Sequence, residues 1–294
     1  MLVILVAGIF NVSGVIEMGL MWANLKAVSI GAFAGLFVTG AALAAPCGNT
    51  SAGFEPWVAD YKKQAASQGV SARAIAAGLD GVTYDPNIIR LDRGQKSFKL
   101  SFEQFYARRV SSSLLSRAKQ KMSEHAALFS KIEQRYGVPP QIIVAIWALE
   151  TNFGSDGHGG KSIPRSLATL AFDCRRTDFF QNELIHALRI IDRGDMSASQ
   201  LVGGWAGEIG PMQFLPSSYF KYAVDFDGNG SRDLMRSVPD MLASTANFLK
   251  SKGGWKTGQS WAEGSGNYAA LREWNKAEVY VKTISVMADK LSAR

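Results

Sequence analysis

Histidine and cysteine are scarce in this sequence of 294 residues, which contains three histidines and two cysteines. The histidines are His125, His158 and His186, and their positions match neither the ligand spacing of a metal site nor a catalytic triad. No pattern of His or Asn that would assist a nucleophilic thiol accompanies either cysteine. The sequence therefore argues against histidine-bound metal catalysis, triad chemistry and cysteine catalysis.

Charge is also sparse, because charged residues make up 19% of the chain and hydrophobic residues 47%. That balance is typical of a folded globular protein and not of a disordered chain. The formal net charge of +7 favours anionic partners such as nucleic acid, acidic glycans or lipid headgroups, or else reflects only a basic surface. Lys and Arg form no long basic run, and the chain contains no repeat and no low-complexity tail.

The first 44 residues hold only two charged side chains, Glu17 and Lys26. An apolar run follows from Ala27 and ends in the small residues that precede a signal cleavage site, here after Ala44. These features predict a secretory signal over residues 1–44. The alternative is a retained membrane anchor, because the apolar run is almost long enough to span a bilayer.

Export would give the two cysteines a structural role. An oxidising compartment favours a disulfide between Cys47 and Cys174, which would tether the mature N-terminus to the middle of the domain. Two free buried thiols are the alternative, and the sequence alone does not decide between them.

The rest of the chain, residues 45–294, predicts a single, mostly helical domain. Apolar positions recur at helical spacing from about 111 to 136, and two prolines at 139 and 140 then open the next helix. Further helices are predicted at 166–172, 179–192, 239–250 and 278–291. Between about 203 and 233 the chain is rich in Gly, Pro, Ser and Asn, which predicts an irregular loop or a short hairpin.

The stretch IIVAIWALETNFG, residues 142–154, ends an apolar helix on one carboxylate, Glu150. Ile143, Ile146 and Trp147 lie on the same helical face, so the glutamate projects from the apolar side. Burial there disfavours the charged carboxylate and raises its pKa, which keeps a proton available near neutral pH. Glu150 is therefore either a general acid in a cleft or a buried acid that bonds backbone groups.

Four segments of the chain carry a family resemblance: YGVPPQIIVAIWALETNFGSDGHG, SLATLAFDCRRTDFFQNEL, GGWAGEIGPMQFLPSSYFKYAVDFDGNGSRD and LREWN. In this order they resemble the lytic murein transglycosylases of the B type. Those are bacterial cell-wall enzymes with a lysozyme-like, mainly helical fold that carries a small irregular insertion. The resemblance extends from about Phe54 to the C-terminus.

The resemblance implies a reaction. Glu150 stands at the position of the family's catalytic acid, and Thr151 follows it where serine is commoner. Members cleave the β-1,4 bond between N-acetylmuramic acid and N-acetylglucosamine without water and leave a 1,6-anhydro ring on the muramic acid. One glutamate protonates the leaving oxygen and then deprotonates the C6 hydroxyl. The N-acetyl group of the substrate assists, so that neither a second catalytic carboxylate nor a cofactor is required.

The resemblance also implies substrate-binding residues. Arg175 and Arg176 match a pair of arginines suited to the carboxylates of peptide stems or lactyl groups. An ion pair with a neighbouring aspartate such as Asp173 is the alternative. Gln213 would line the cleft and bond sugar hydroxyls or acetamido groups. Asn275 would contact the substrate or the catalytic acid, or else cap the helix that follows it.

The stretch DFDGNGSRD resembles the start of an EF-hand loop. Three oxygen-bearing side chains fall at loop positions 1, 3 and 5, namely Asp225, Asp227 and Asn229. The backbone of Ser231 would supply position 7, and position 12 lacks the usual glutamate. Some B-type members close a longer loop with a later aspartate, and Asp240 lies in that place. We expect a structural calcium site at about residues 225–240, with an Asx-rich turn that holds no metal as the alternative.

These observations together predict an exported, periplasmic lytic murein transglycosylase. Its partner would be the peptidoglycan glycan strand and not nucleic acid, and we expect a monomer. Membrane association through the N-terminal segment stays open. The alternative functions are a hydrolytic muramidase on the same fold and a non-catalytic protein that binds the wall.

Overall fold

A computed structural model describes residues 47–95, 100–157 and 159–293. The predicted signal or anchor at residues 1–44 and His158 lie outside the described residues, so the proposed division of the chain at residue 44 stays a prediction. None of the described helices has the length and apolar character needed to cross a membrane.

Within these residues the chain forms thirteen α-helices and one two-stranded antiparallel sheet, which confirms the mainly helical fold class. The elements in chain order are α1 (Phe54–Ser67), α2 (Ala72–Leu79), α3 (Pro86–Arg93), α4 (Phe102–Arg109), α5 (Ser112–Glu124), α6 (Ala126–Tyr136), α7 (Pro140–Thr151), β1 (Lys161–Ser162), α8 (Ile163–Phe172), α9 (Thr177–Arg193), β2 (Val202–Gly203), α10 (Pro216–Tyr222), α11 (Val238–Ser251), α12 (Gly266–Trp274) and α13 (Glu278–Ser292).

Short polar side chains begin many of these helices. The residues whose side-chain oxygen accepts a backbone N–H of the following first turn are Ser71, Asp85, Ser101, Ser111, Ser162, Ser237 and Ser265. Each such cap stabilises the protein by about 1 kcal/mol. At α4 the Gln104 side chain also bonds the Ser101 N–H, which completes a capping box. Local sequence therefore sets where these helices start.

The predicted helix at 111–136 is in fact two helices. α5 ends and α6 begins at His125, whose backbone (φ −111°, ψ 22°) departs from helical values. Buried apolar residues recur at helical spacing on both sides, with Leu114 and Ala118 on α5 and Phe129 and Ile132 on α6. Spacing alone could not reveal the break because both segments satisfy the same pattern.

α7 is the central helix of the domain. Every residue from Ile142 to Leu149 is buried, and the helix packs against α5, α6, α11 and α13. A helix that is apolar on all sides belongs in a core. Pro140 opens it, where the missing N–H would have no helical partner in any case. The packing therefore fixes α7 firmly, and Glu150 lies in its last turn.

The predicted irregular region between 203 and 233 contains the end of β2, all of α10 and the loops around them. Gly203 pairs with Lys161 of β1. Ile209 and Phe214 exchange two backbone hydrogen bonds of 2.8 and 3.0 Å, which close a tight turn. The region therefore holds loops and a tight turn as expected, but the helix α10 within it was not predicted.

Cys47 and Cys174 form a disulfide, with their Cα atoms 5.0 Å apart. Beside it the N–H of Gly48 donates to the carbonyl of Phe172 over 2.9 Å. The first described residues are thereby tied to the end of α8. This arrangement corresponds to the disulfide alternative and not to two free thiols.

Candidate active site

Glu150 keeps part of its surface open to solvent at the end of the buried α7. The indole Nε1 of Trp274 donates a hydrogen bond to its Oε1 over 3.0 Å. Burial is the largest influence on this carboxyl and raises its pKa, whereas Trp274, the Tyr280 hydroxyl and the Arg109 guanidinium lower it. Burial prevails, so Glu150 keeps its proton to a higher pH than an ordinary glutamate does.

Two of the groups beside Glu150 were not predicted from the sequence. Arg109, at the end of α4, donates to the carbonyl of Leu149 in the last turn of α7. Tyr280 of α13 has a buried hydroxyl that makes no hydrogen bond of ordinary geometry with the described residues, and burial followed by the Glu150 charge raises its pKa. Neither residue belongs to a local motif, because each reaches Glu150 from an element distant along the chain.

The turn after Glu150 has an unusual backbone. Asn152 (φ 52°) and Phe153 (φ 61°) are both left-handed although neither is glycine. Such conformations cost about 1–3 kcal/mol each and persist where surrounding contacts impose them. Here Arg117 donates to the Asn152 side chain, and Thr151 Oγ1 both donates to the Pro211 carbonyl over 2.7 Å and accepts the Gly154 N–H over 3.0 Å. These bonds hold the end of α7 in one position.

Arg175 and Arg176 both pair with Asp92 of α3, and not with a neighbouring aspartate on their own segment. Asp92 is 2% exposed, and the side chain of Arg176 is 13% exposed against 41% for Arg175. Asp173 is occupied by Arg93 at 2.6 Å. Both arginines are thus in ion pairs, but with the distant Asp92 and not with the neighbouring aspartate that the alternative named, and the Arg175 side chain keeps the larger exposed fraction.

Gln213 and Asn275 lie on segments that meet at Trp274. Gln213 is left-handed (φ 55°), its Nε2 donates to the Gly210 carbonyl over 2.9 Å, and its Oε1 is buried without a partner among the described residues. The Oδ1 of Asn275 accepts the N–H of Ala277 over 2.9 Å, just before α13. The hydrogen bond to Glu150 comes from Trp274, the neighbour of Asn275.

The carboxylates of Asp225, Asp227 and Asp240 gather in the predicted calcium loop, where each offers an oxygen within 4.8 Å of the others. Asp225 accepts the N–H groups of residues 228, 229 and 230 at 2.8 to 3.1 Å. The buried Asp240 accepts those of residues 226, 227 and 233 at 2.7 to 3.3 Å. Asn229 Oδ1 accepts the Ser231 N–H over 2.9 Å. Both predicted features, the oxygen-lined cluster and the Asx-rich turn, are present in one loop.

The family model for the transglycosylase SLT domain matches residues 53–265, which include Glu150, Gln213 and the 225–240 loop. The chain belongs to this family.

Similarity to known lytic transglycosylases agrees with this assignment. A segment of 126 residues is 43% identical to the membrane-bound lytic murein transglycosylase B of Escherichia coli (strain K12), and it covers 42% of this chain and 34% of that relative. The match thus spans about a third of the relative's length. The predicted family is confirmed.

Solved structures share the fold of the transglycosylase domain. SltB3 from Pseudomonas aeruginosa, in complex with NAG-anhNAM-pentapeptide, is 29% identical with a TM-score of 0.76, and the alignment covers 84% of this chain and 80% of that chain. The E. coli lytic transglycosylase SLT35 in complex with calcium is 21% identical with a TM-score of 0.70, covering 85% and 96%. The second likeness concerns the fold alone.

The transglycosylase domain contains a further buried carboxyl, Glu208, that sequence reasoning missed. It is 2% exposed, and its Oε2 accepts the Ala206 N–H over 3.0 Å. Burial is the main cause that raises its pKa to about 7; backbone N–H groups lower the pKa, the Glu150 charge raises it and the Arg176 charge lowers it. A signal was present, because WAGEIGPM surrounds one acid with small and apolar residues, as IWALETNF does.

Because Gly204 has no side chain, the Glu208 carboxyl can lie directly against its backbone. A Cβ atom at residue 204 would collide with Oε2 of Glu208 and lie 2.9 Å from its Cδ. We expect Gly204→Ala to lower the free energy of unfolding by about 1–3 kcal/mol, the usual effect of overpacking a core. Urea unfolding measures this change. A Glu208→Ala background removes the collision with Oε2 and leaves only the 3.1 Å contact with the Cβ atom of residue 208, so the loss there should be clearly smaller. Equal losses in both backgrounds would show that another contact is responsible.

Proposed function

We propose that this protein is a lytic transglycosylase that cleaves the β-1,4 bond between N-acetylmuramic acid and N-acetylglucosamine in peptidoglycan. The observation that carries the proposal is Glu150, a partly exposed residue at the end of the buried helix α7. Burial raises the pKa of its carboxyl, which accepts a hydrogen bond from Trp274. The family assignment and the ligand of the SltB3 neighbour, NAG-anhNAM-pentapeptide, support the substrate class.

The proposed reaction uses Glu150 twice. Its proton moves to the glycosidic oxygen as the bond from C1 to that oxygen breaks, and the N-acetyl oxygen of the muramic acid bonds to C1. The Glu150 carboxylate then takes the proton of the C6 hydroxyl while O6 bonds to C1 and displaces the acetyl oxygen. Glu150 is protonated again at the end, one product carries a 1,6-anhydro ring, and no water is consumed.

Arg175, Gln213 and Asn275 are the side chains that we assign to substrate. Arg175 is accessible and presents a guanidinium to the carboxylate of a peptide stem or lactyl group, whereas Arg176 holds the α8–α9 corner through the buried Asp92. Gln213 offers its unpartnered Oε1 to a sugar hydroxyl or an acetamido N–H. Asn275 uses its oxygen on the Ala277 N–H, which leaves its amide N–H groups for the sugar.

Product analysis tests the proposed reaction. Purified peptidoglycan is digested with the wild-type protein, and the soluble fragments are measured by mass spectrometry. Fragments that end in anhydromuramic acid, each lighter by one water than a reducing end, are the expected result. Reducing ends alone would indicate a hydrolytic muramidase. Sedimentation of the protein with the wall without any released fragment would indicate a non-catalytic binding protein.

We further propose that the 225–240 loop binds a structural calcium ion. Calcium prefers oxygen ligands, and the three clustered carboxylates repel one another unless a cation lies between them. The charge of Asp227 contributes to the raised pKa of Asp240, after burial as the main cause. Asp225, Asp227 and Asp240 would hold the ion with Asn229 and the Ser231 backbone. The ion would stabilise the loop and take no part in the chemistry.

Calcium is therefore expected to raise the melting temperature. A ligand at one hundred times its Kd stabilises the folded state by about 2.7 kcal/mol. For a domain of this size that corresponds to a rise of roughly 5–10 °C. Differential scanning calorimetry with millimolar calcium and with a chelator measures the shift. Asp225→Asn should abolish most of it, and an identical melting temperature in calcium and chelator would contradict the proposal.

We place this activity in the periplasm, reached through the predicted signal at residues 1–44. The E. coli relative is named membrane-bound, which supports a location in the cell envelope. The net charge of +7 favours binding to the anionic peptidoglycan mesh. N-terminal sequencing of the protein from cells tests cleavage after Ala44 against a retained anchor.

A further inference from the structure

Trp274, the last residue of α12, is held by two other aromatic side chains. Its ring packs edge-on against Phe214 and Phe248, with ring centroids 5.2 and 5.1 Å apart. Those two rings also pack edge-on against each other at 6.2 Å. Edge-to-face contacts of this kind are favourable and specific in geometry. Because Phe214 precedes α10 and Phe248 lies on α11, tertiary packing fixes the direction in which the indole N–H points.

The indole engages one of the two carboxyl oxygens of Glu150. Its Nε1 donates to Oε1 over 3.0 Å, and Oε2 makes no hydrogen bond of ordinary geometry with a described residue. An indole N–H can donate but cannot accept. In a protonated carboxyl the carbonyl oxygen is a better acceptor than the hydroxyl oxygen, so the bond at Oε1 favours the proton at Oε2. Oε2 is then the oxygen free to meet the substrate.

The same hydrogen bond becomes stronger when Glu150 gives up its proton. A hydrogen bond to a charged acceptor is roughly twice as strong as one between neutral groups. Burial is the largest influence on the pKa of Glu150 and raises it, and the bond from Trp274 is the largest of those that lower it. The indole therefore stabilises the carboxylate that forms as the glycosidic oxygen is protonated.

We propose that Trp274 is a positioning residue whose indole N–H holds Oε1 of Glu150 in both protonation states, so that Oε2 alone carries out both proton transfers. The proton leaves Oε2 for the glycosidic oxygen, and the C6 hydroxyl later returns one to Oε2. The carboxyl then has no need to rotate between the two steps. The inference rests on the proposed function, because Trp274 acts on the reaction only through Glu150.

Trp274→Phe tests this role because it removes the N–H and keeps an aromatic ring beside Phe214 and Phe248. On soluble glycan strands we expect kcat to fall about 10- to 100-fold, the usual effect of a misplaced catalytic group, with KM unchanged. The alkaline limb of the kcat profile against pH reports loss of the Glu150 proton. Without the N–H the carboxylate is less stable, so this limb should move up by about one pH unit.

The substitution leaves the charged and titratable groups of the site unchanged, so a shift of the pH profile reports the lost N–H. The groups that face Glu150 or the residues beside it are Arg109 of α4, Arg117 of α5, His125 between α5 and α6, Glu208, Lys252 at the end of α11, Glu273 of α12 and Tyr280 of α13.

Trp255→Phe is the matched control. Trp255 is buried, and its indole Nε1 also donates one hydrogen bond, over 2.9 Å, but to the Gly137 carbonyl and not to Glu150. Its substitution should lower the melting temperature and leave kcat and the alkaline limb unchanged. A folded Trp274→Phe protein with an unshifted alkaline limb would overturn the proposal. A raised KM at unchanged kcat would also overturn it, because that result is expected of a platform on which a sugar stacks.

Two further comparisons keep the outcome decisive. If Trp274→Phe does not fold, benzothienylalanine at position 274 keeps the size of the indole and replaces only the N–H with sulfur, and the same upward shift is expected. Glu150→Gln separates this inference from the proposed function. Wild-type activity in that variant would refute the function itself, whereas an inactive Glu150→Gln beside an unshifted variant at position 274 would refute only the role of Trp274.

Discussion

Replacing Glu150 with glutamine is expected to lower kcat on purified peptidoglycan by about 10²- to 10⁴-fold, the usual contribution of a general acid. That loss corresponds to about 3 to 5 kcal/mol of transition-state stabilisation. Glutamine retains an oxygen that accepts the Trp274 N–H but has no proton to give to the glycosidic oxygen. Dye release from labelled wall material, measured over time at equal protein concentrations, gives the rate ratio.

The same variant should fold at least as well as the wild type. Burial raises the pKa of Glu150 above that of an unfolded glutamate, so the folded state binds the proton more tightly. The stabilisation that such a group contributes to the folded protein is lost as the pH rises from its unfolded pKa through its folded pKa. Glutamine cannot ionise, and at pH 8 Glu150→Gln should therefore melt no lower than the wild type. An inactive variant that melted much lower would leave the loss of activity attributable to misfolding.

Removal of the disulfide between Cys47 and Cys174 is the second large expected effect. The bridge closes a loop with a sequence separation of 127 residues. In the chain-entropy model such a bridge stabilises the folded state by about 5 kcal/mol, and measured losses run from about 2 to 5 kcal/mol. We expect the Cys47→Ser, Cys174→Ser double variant to melt roughly 10 °C below the wild type.

Calorimetry of the oxidised wild type, the reduced wild type and the double variant measures this effect. Reduced wild type and double variant should melt together, because both lack the bridge. The single Cys174→Ser variant adds a control for the packing of that side chain near Asp173 and Arg175. An oxidised protein that melts at the same temperature as the reduced one, with free thiols verified by titration, would contradict the expected stabilisation.

The sequence predicted those parts of the site that depend on local pattern. The apolar run before Glu150 indicated a buried helix, and the structure buries α7 on all sides up to that residue. The spacing of Asp225 and Asp227 likewise predicted a loop whose carboxylates converge. In each case the determining residues lie within one or two turns of chain, where helical periodicity and turn chemistry apply.

The sequence did not reveal contacts between distant segments. Trp274 reaches Glu150 across 124 positions, Arg109 reaches the Leu149 carbonyl across 40, and Arg176 reaches Asp92 across 84. No periodicity relates such residues, because tertiary packing alone brings them together. The place of Glu208 in the fold has the same cause: the local sequence indicates an acid among small and apolar residues, but the contact of its loop with the end of α7 forms only through tertiary packing.

The central claim is that Glu150 acts as acid and then as base without a water nucleophile. Digestion of purified peptidoglycan in water labelled with a heavy oxygen isotope tests this most directly, with the muropeptide products measured by mass spectrometry. We predict anhydromuramic ends that carry no heavy oxygen, since O6 of the same sugar closes the ring. Incorporation of the label at C1 of the muramic acid would contradict the claim and show that the enzyme hydrolyses the bond.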